Sequence, residues 1–273
     1  MRYLLKTPHD KYEAGKTLLH AGSDTKEMLE VNRKRFGDKW YWYDKNITYK
    51  FNSEGYRMDK EIEDINFDNY FAFFGCSYTV GAGLPLEETF AYRIATAMNV
   101  DYVNGATVGA SVEFILHNIT QLLTTAPNKP KCIVINWPEL SRTMYWEEDE
   151  VTFMLPNSLH TVKNHWSKSY EQFVMEETHI NNRFKMIRKL IQLICKEGNI
   201  KLFEFSTHQS DPLFTELYPD IHIMQIAVAE FDKDVSTMHL NKARDTALNF
   251  VAHPGLHHQN QIVERFLETY EHI

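Results

Sequence analysis

No stretch of this sequence reaches even ten uninterrupted apolar residues, so no segment has the length of a membrane-spanning helix. The opening, MRYLLKTPHDKYEAGK, lacks the apolar run of a secretory leader, and a cytoplasmic or virion-associated location is expected. Cysteine is scarce. Cys76, Cys132 and Cys195 are odd in number, widely spaced and without a CxxC pair, which points away from zinc and towards a reducing compartment. Positive charge is also short: 29 basic residues face 37 acidic ones, for a net charge of −8. A field of that sign repels phosphate backbones and anionic lipid, so neither nucleic acid nor membrane is an expected partner. Internal repeats and low-complexity tracts are absent. What is present is globular: of 273 residues 43% are apolar, 13% aromatic and 24% charged, which excludes disorder, collagen and coiled coil.

Residues 1–68 read as an N-terminal extension packed on a core domain. In it Ser23-Asp24-Thr25-Lys26-Glu27 offers a helix start, with Asp24 and Glu27 at capping-box spacing and Gly37 as the stop. Two β-prone runs, 39–43 and 47–51, read as a hairpin. From residue 69 strands and helices alternate. Strands are expected at 70–74, 101–104, 132–135 and 200–205. Helices are expected around Phe90–Ala97, Ile115–Leu122 and Phe184–Ile194, and in a last one around Val263–Tyr270 that Pro254 could open at its first turn. Such βαβ units predict a mainly parallel, flavodoxin-like sheet in a three-layer α/β/α domain over 69–273. Residues 138–180 lack clear periodicity and carry Tyr145, Trp146, Trp166, Tyr170 and an acidic run at 147–150. They read as an insertion near the end of the third strand, either a lid or a plain surface excursion.

Ligands on such sheets bind at the carboxyl ends of the strands. After the first core strand comes Gly75-Cys76-Ser77-Tyr78-Thr79-Val80-Gly81-Ala82-Gly83-Leu84. It is no Walker A loop, because no Gly-Lys-Ser/Thr follows, and no GxGxxG fingerprint. The nucleophile elbow GxSxG is half met, with Thr79 where the second glycine would stand. What remains is a serine hydroxyl on a strand-to-helix loop, beside backbone N–H groups that can receive an oxyanion; a turn serine capping the next helix fits the same position. Such a nucleophile needs a base. His253, in Ala252-His253-Pro254-Gly255-Leu256-His257-His258, is the candidate, with His257 and His258 as alternatives. Asp245 is the simplest orienting acid.

These residues resemble the SGNH (GDSL-type) serine hydrolases. GCSYTVGAGL is similar to block I, which holds the nucleophile, and Val103-Asn104-Gly105-Ala106-Thr107-Val108-Gly109-Ala110-Ser111 to block II, where the resemblance implies Gly109 N–H as an oxyanion donor. Asn136 falls at the block III position, without the usual Gly-x-Asn-Asp, and His253-Pro254-Gly255 resembles block V. Asn52-Ser53-Glu54-Gly55-Tyr56-Arg57 resembles a stretch that precedes the catalytic domain in some relatives. The family's Asp-x-x-His would place the acid at position 250, which is Phe250 here. Either Asp245 reaches His253 across a longer loop, or a Ser–His dyad operates, or activity is lost. The resemblance implies an esterase that cleaves small acyl esters, O-acetyl groups on carbohydrate among them. Ser77, His253 and Asp245 would be catalytic, and Ser77 N–H, Gly109 N–H and the Asn136 amide would form the oxyanion hole. No metal or organic cofactor is implied. Two other functions share the pattern: an O-acyltransferase, and an inactive carbohydrate-binding or virion-associated protein.

Overall fold

The computed structural model describes residues 2–147, 150–155, 176–207, 217–218, 220–223, 244 and 253–273. Along the chain run α1 (Asp10–Glu13), β1 (Thr17–Leu18), α2 (Lys26–Phe36), β2 (Tyr49–Lys50) and β3 (Tyr70–Phe74). Then come α3 (Ser77–Val80), α4 (Phe90–Ala97), β4 (Asp101–Asn104), α5 (Val112–Thr125) and β5 (Cys132–Trp137). The chain continues with β6 (Thr143–Glu147), β7 (Glu150–Met154), α6 (Glu177–Gly198), β8 (Lys201–Ser206), β9 (His222–Ile223) and α7 (Leu256–Thr269).

The central sheet has the order β4-β3-β5-β8-β9 and every neighbouring pair is parallel. Parallel strands with helices on both faces must be apolar on both sides, and all five residues of β3, Tyr-Phe-Ala-Phe-Phe, are buried. Alternation sorts the side chains. Phe71 and Phe203 meet Phe266 of α7, and Phe73 and Phe205 meet Phe90 of α4. On the opposite face Trp137 packs edge-on against Phe184 of α6. The result is the expected three-layer α/β/α architecture. Because β4 and β5 flank β3 on opposite sides, the strand order reverses at β3, and the crevice for a ligand lies beyond the ends of these three strands.

Helix ends follow local chemistry. Thr25, Thr89 and Ser111 cap α2, α4 and α5 through hydroxyls that accept the N–H of Met28, Tyr92 and Phe114. Gly37 closes α2 with φ 69° and an N–H bonded to Arg33 O.

The structure corrects several local expectations. Asp24 does not cap α2; Thr25 does, and Asp24 is wholly buried in an ion pair. The 39–51 hairpin does not form. Trp40 and Tyr43 close successive turns on Gly37 O and Trp40 O, while β2 pairs antiparallel with β1. Trp40 and Trp42 are buried in a second cluster with Leu29, Ile47, Tyr49, Phe51 and Leu84, while Tyr43 is exposed, and burial through turns satisfies the two tryptophans as well as a strand would. Part of the 138–180 segment is regular: β6 and β7 form an antiparallel hairpin, and α6 begins at Glu177, well before Phe184. Trp166 and Tyr170 lie outside the described residues. Pro254 precedes α7 by two residues, and Gly255 is its N-cap.

Candidate active site

The nucleophile turn is built by close approach. A Cβ at Gly75 would lie 2.2 Å from Thr79 Oγ1 and 2.9 Å from Asn136 O, so only glycine lets the chain leave β3 against the end of β5. Cys76 is extended and buried, and acts as packing. Ser77 then opens the short helix α3, whose left-handed C-cap Gly81 returns its N–H to Ser77 O. Ser77 is 8% exposed, shielded yet reachable.

Ser77 Oγ lies 2.8 Å from His253 Nε2, across 176 residues of sequence. His253 stands three residues ahead of α7, and the edge of its ring meets Tyr78, with centroids 4.9 Å apart. The other ring nitrogen, Nδ1, lies 3.4 Å from Ser23 Oγ. With the proton on Nδ1, Nε2 accepts from the Ser77 hydroxyl, which is the arrangement a general base requires. Of the three candidate histidines, His253, His257 and His258, it is thus His253 that meets the hydroxyl. Asp245 lies outside the described residues.

Gly109 sits on the loop between β4 and α5 with φ 80°. A Cβ there would meet Phe153 and Leu155 only at 3.6 Å, so backbone angle rather than space selects the glycine. Thr107 N–H bonds to Gly75 O at 3.4 Å, which joins this loop to the nucleophile turn. Asn136 is fully buried near the end of β5. Its Oδ1 accepts from Thr207 N–H and hydroxyl at 3.3 and 3.2 Å, whereas Nδ2 has no hydrogen-bond partner among the described residues. A buried amide donor held by its oxygen alone is suited to receive a ligand's negative oxygen.

Two arginines to which the sequence analysis gave no role hold the site together. Arg57, 1% exposed, donates to the carbonyls of Val80, Gly81 and Leu84 at 3.1, 2.6 and 2.7 Å and stacks on Tyr49. It thereby fixes the loop that follows Ser77, and burial lowers the affinity of its guanidinium for its proton. The rest of its motif is structural: Asn52 Oδ1 accepts the N–H of Glu54 and Tyr56, and the Glu54 carboxylate accepts the N–H of Tyr3 and Leu4. Arg244 grips Asp24 through Nε and Nη2 at 3.1 and 2.6 Å, with both side chains essentially inaccessible. Its own N–H bonds to Gly83 O at 2.9 Å. The only hint of Arg244 in the sequence is its place beside the candidate acid.

No family model matches the chain, and no curated protein matches it. Solved structures do. A member of the lipolytic G-D-S-L family from Veillonella parvula is 15% identical, with 75% of this chain and 99% of that one covered at a TM-score of 0.34. An acetyl xylan esterase from the rumen bacterium Butyrivibrio proteoclasticus is 12% identical, with 75% of this chain covered at a TM-score of 0.39; the match spans only 64% of that protein's length. An SGNH-hydrolase family esterase is 15% identical, with 74% of this chain and 95% of that one covered at a TM-score of 0.33. The solved structures this chain is similar to thus include a lipolytic G-D-S-L family protein, an acetyl xylan esterase and an SGNH-hydrolase family esterase.

Proposed function

We propose that the protein is a serine ester hydrolase acting on small acyl esters, with O-acetyl groups on carbohydrate as the substrate class. The observation that carries this is the 2.8 Å contact between Ser77 Oγ and His253 Nε2, set beside the Gly109 loop and the Asn136 Nδ2 that has no partner among the described residues. Ser77 Oγ attacks the ester carbonyl as its proton passes to His253 Nε2. The resulting oxyanion takes hydrogen bonds from Ser77 N–H, Gly109 N–H and Asn136 Nδ2. Collapse expels the alcohol, protonated by His253, and leaves an acyl group on Ser77. Water, deprotonated by the same imidazole, then attacks that acyl group and releases the acid. Asp245, one residue beyond the anchored Arg244, is the proposed orienting acid. The sugar preference is supported by Trp146, an aromatic 48% exposed and set against His117, on the hairpin whose Phe153 lies beside Gly109.

The test is labelling with a fluorophosphonate probe alongside hydrolysis of an activated acetyl ester. Labelling should map to the Ser77 peptide, Ser77→Ala should abolish both signals without loss of fold, and Asp245→Asn should lower turnover by orders of magnitude. Hydrolysis retained in Ser77→Ala would overturn the nucleophile. Near-normal turnover in Asp245→Asn would replace the triad by a dyad.

A further inference from the structure

We propose that Ser23 is a positioning residue for His253, and that the buried Asp24–Arg244 pair fixes it in place. The inference rests on His253 being the general base of the reaction above. A histidine that must accept a proton at Nε2 needs its other proton held at Nδ1, and the group bonded there selects the tautomer and the ring orientation. Ser23 Oγ stands at that nitrogen, 3.4 Å away, from a segment 230 residues distant in sequence. A second acceptor at Nδ1, such as a carboxylate, can share the same proton with the hydroxyl.

The turn that carries Ser23 is locked on three sides. Asp24 N–H closes the turn on Ala21 O at 3.1 Å. Gly22, φ 60°, approaches Val108 so closely that a Cβ would stand 3.2 Å from that side chain, so the turn touches the residue next to Gly109. Asp24, 0% exposed, binds Arg244 through both oxygens and also accepts the Tyr49 hydroxyl at 2.6 Å. That hydroxyl in turn accepts Gly83 N–H at 2.8 Å, and Arg244 N–H returns to Gly83 O. The loop after the nucleophile, Arg244 and the N-terminal turn therefore meet at one carboxylate, with Ser23 the next residue along. Around the imidazole the described neighbours are Ser77 and Tyr78 on one side and Ser23 on the other, and the nearby charges of Asp24 and Arg244 offset each other. The N-terminal segment is in this reading part of the active site rather than an appendage.

Ser23 is solvent-exposed, so its variants should fold. Two measurements on the full chain, made on wild type, Ser23→Ala and Ser23→Thr, test the assignment. In long-range nitrogen–proton NMR spectra of histidine-labelled protein, His253 should carry its proton on Nδ1. Ser23→Ala should shift the ring towards the Nε2–H tautomer, and Ser23→Thr should restore the wild-type spectrum. With an activated acetyl ester, Ser23→Ala should lower kcat about fivefold, the worth of one ordinary hydrogen bond, with KM unchanged. An unaltered His253 spectrum in Ser23→Ala would overturn the proposal. A ring that responds in a protein that hydrolyses no ester would uphold the contact and sink the hydrolase reading instead.

Discussion

Asn136 shows what a single residue contributes to this site. Its oxygen is held by Thr207, its nitrogen is buried without a partner among the described residues, and its strand ends beside the turn that presents Ser77. Leaving such a donor unpaired costs about 1–3 kcal/mol, which a structure retains only where something else benefits. If it stabilises the oxyanion, Asn136→Ala should reduce kcat by about 10²–10³ with a small change in KM. Steady-state kinetics would decide, and a kcat within threefold of wild type would remove Asn136 from the hole. Ser77 and Asn136 could be marked from sequence because strand ends announce themselves through short apolar runs closed by small or polar residues. His253 stood out through Pro254 and Gly255, which interrupt the chain before α7. Ser23 could not be found that way: an exposed serine before a helix has an ordinary local explanation, and only the tertiary contact across 230 residues gives it another.

At the scale of elements, β3 and β5 were legible because burial on both faces demands nearly continuous apolar runs. By contrast, β4 (Asp-Tyr-Val-Asn) and β8 (Lys-Leu-Phe-Glu-Phe-Ser) keep polar residues and showed through their short apolar and aromatic centres. The β6–β7 hairpin was not legible, since Glu148-Asp149 between its arms offers neither glycine nor asparagine as a turn marker, although both arms are rich in β-formers. In residues 39–43 the error ran the other way, where Trp40 and Trp42 alternate like a strand yet are buried by turns. What joins the elements is the Asp24–Arg244 pair. Removing one partner of a buried pair strands the other charge, so Asp24→Ala should lower unfolding free energy by about 3–5 kcal/mol. Arg244→Met added to it should recover part of that loss, because no uncompensated charge remains. Urea midpoints of the two single variants and the double variant provide the measurement. Strictly additive losses would mean the pair is not coupled.

Across the whole molecule, acidity is built both into the net charge of −8 and into one buried group near the N-terminus. Glu13 is 9% exposed, and burial, reinforced by neighbouring Asp10, raises its carboxyl pKa to about 7. The folded protein therefore keeps a proton on Glu13 that the unfolded chain releases near the ordinary glutamate value. Its contribution to stability is complete below that value and is lost as pH rises to about 7, a loss on the order of 2–3 kcal/mol. Self-repulsion among the acidic residues weakens the fold in the same direction, so a pH profile of the wild type alone cannot separate the two. Glu13→Gln can. It removes the titration while leaving the rest of the acidic surface in place, and Asp10 keeps its ion pair with Arg2 at 2.7 Å. Unfolding free energies from urea melts at pH 5 and pH 8 should fall less for Glu13→Gln than for wild type, and the variant should be the more stable of the two at pH 8. An equal fall in both would leave Glu13 without a part in the pH dependence.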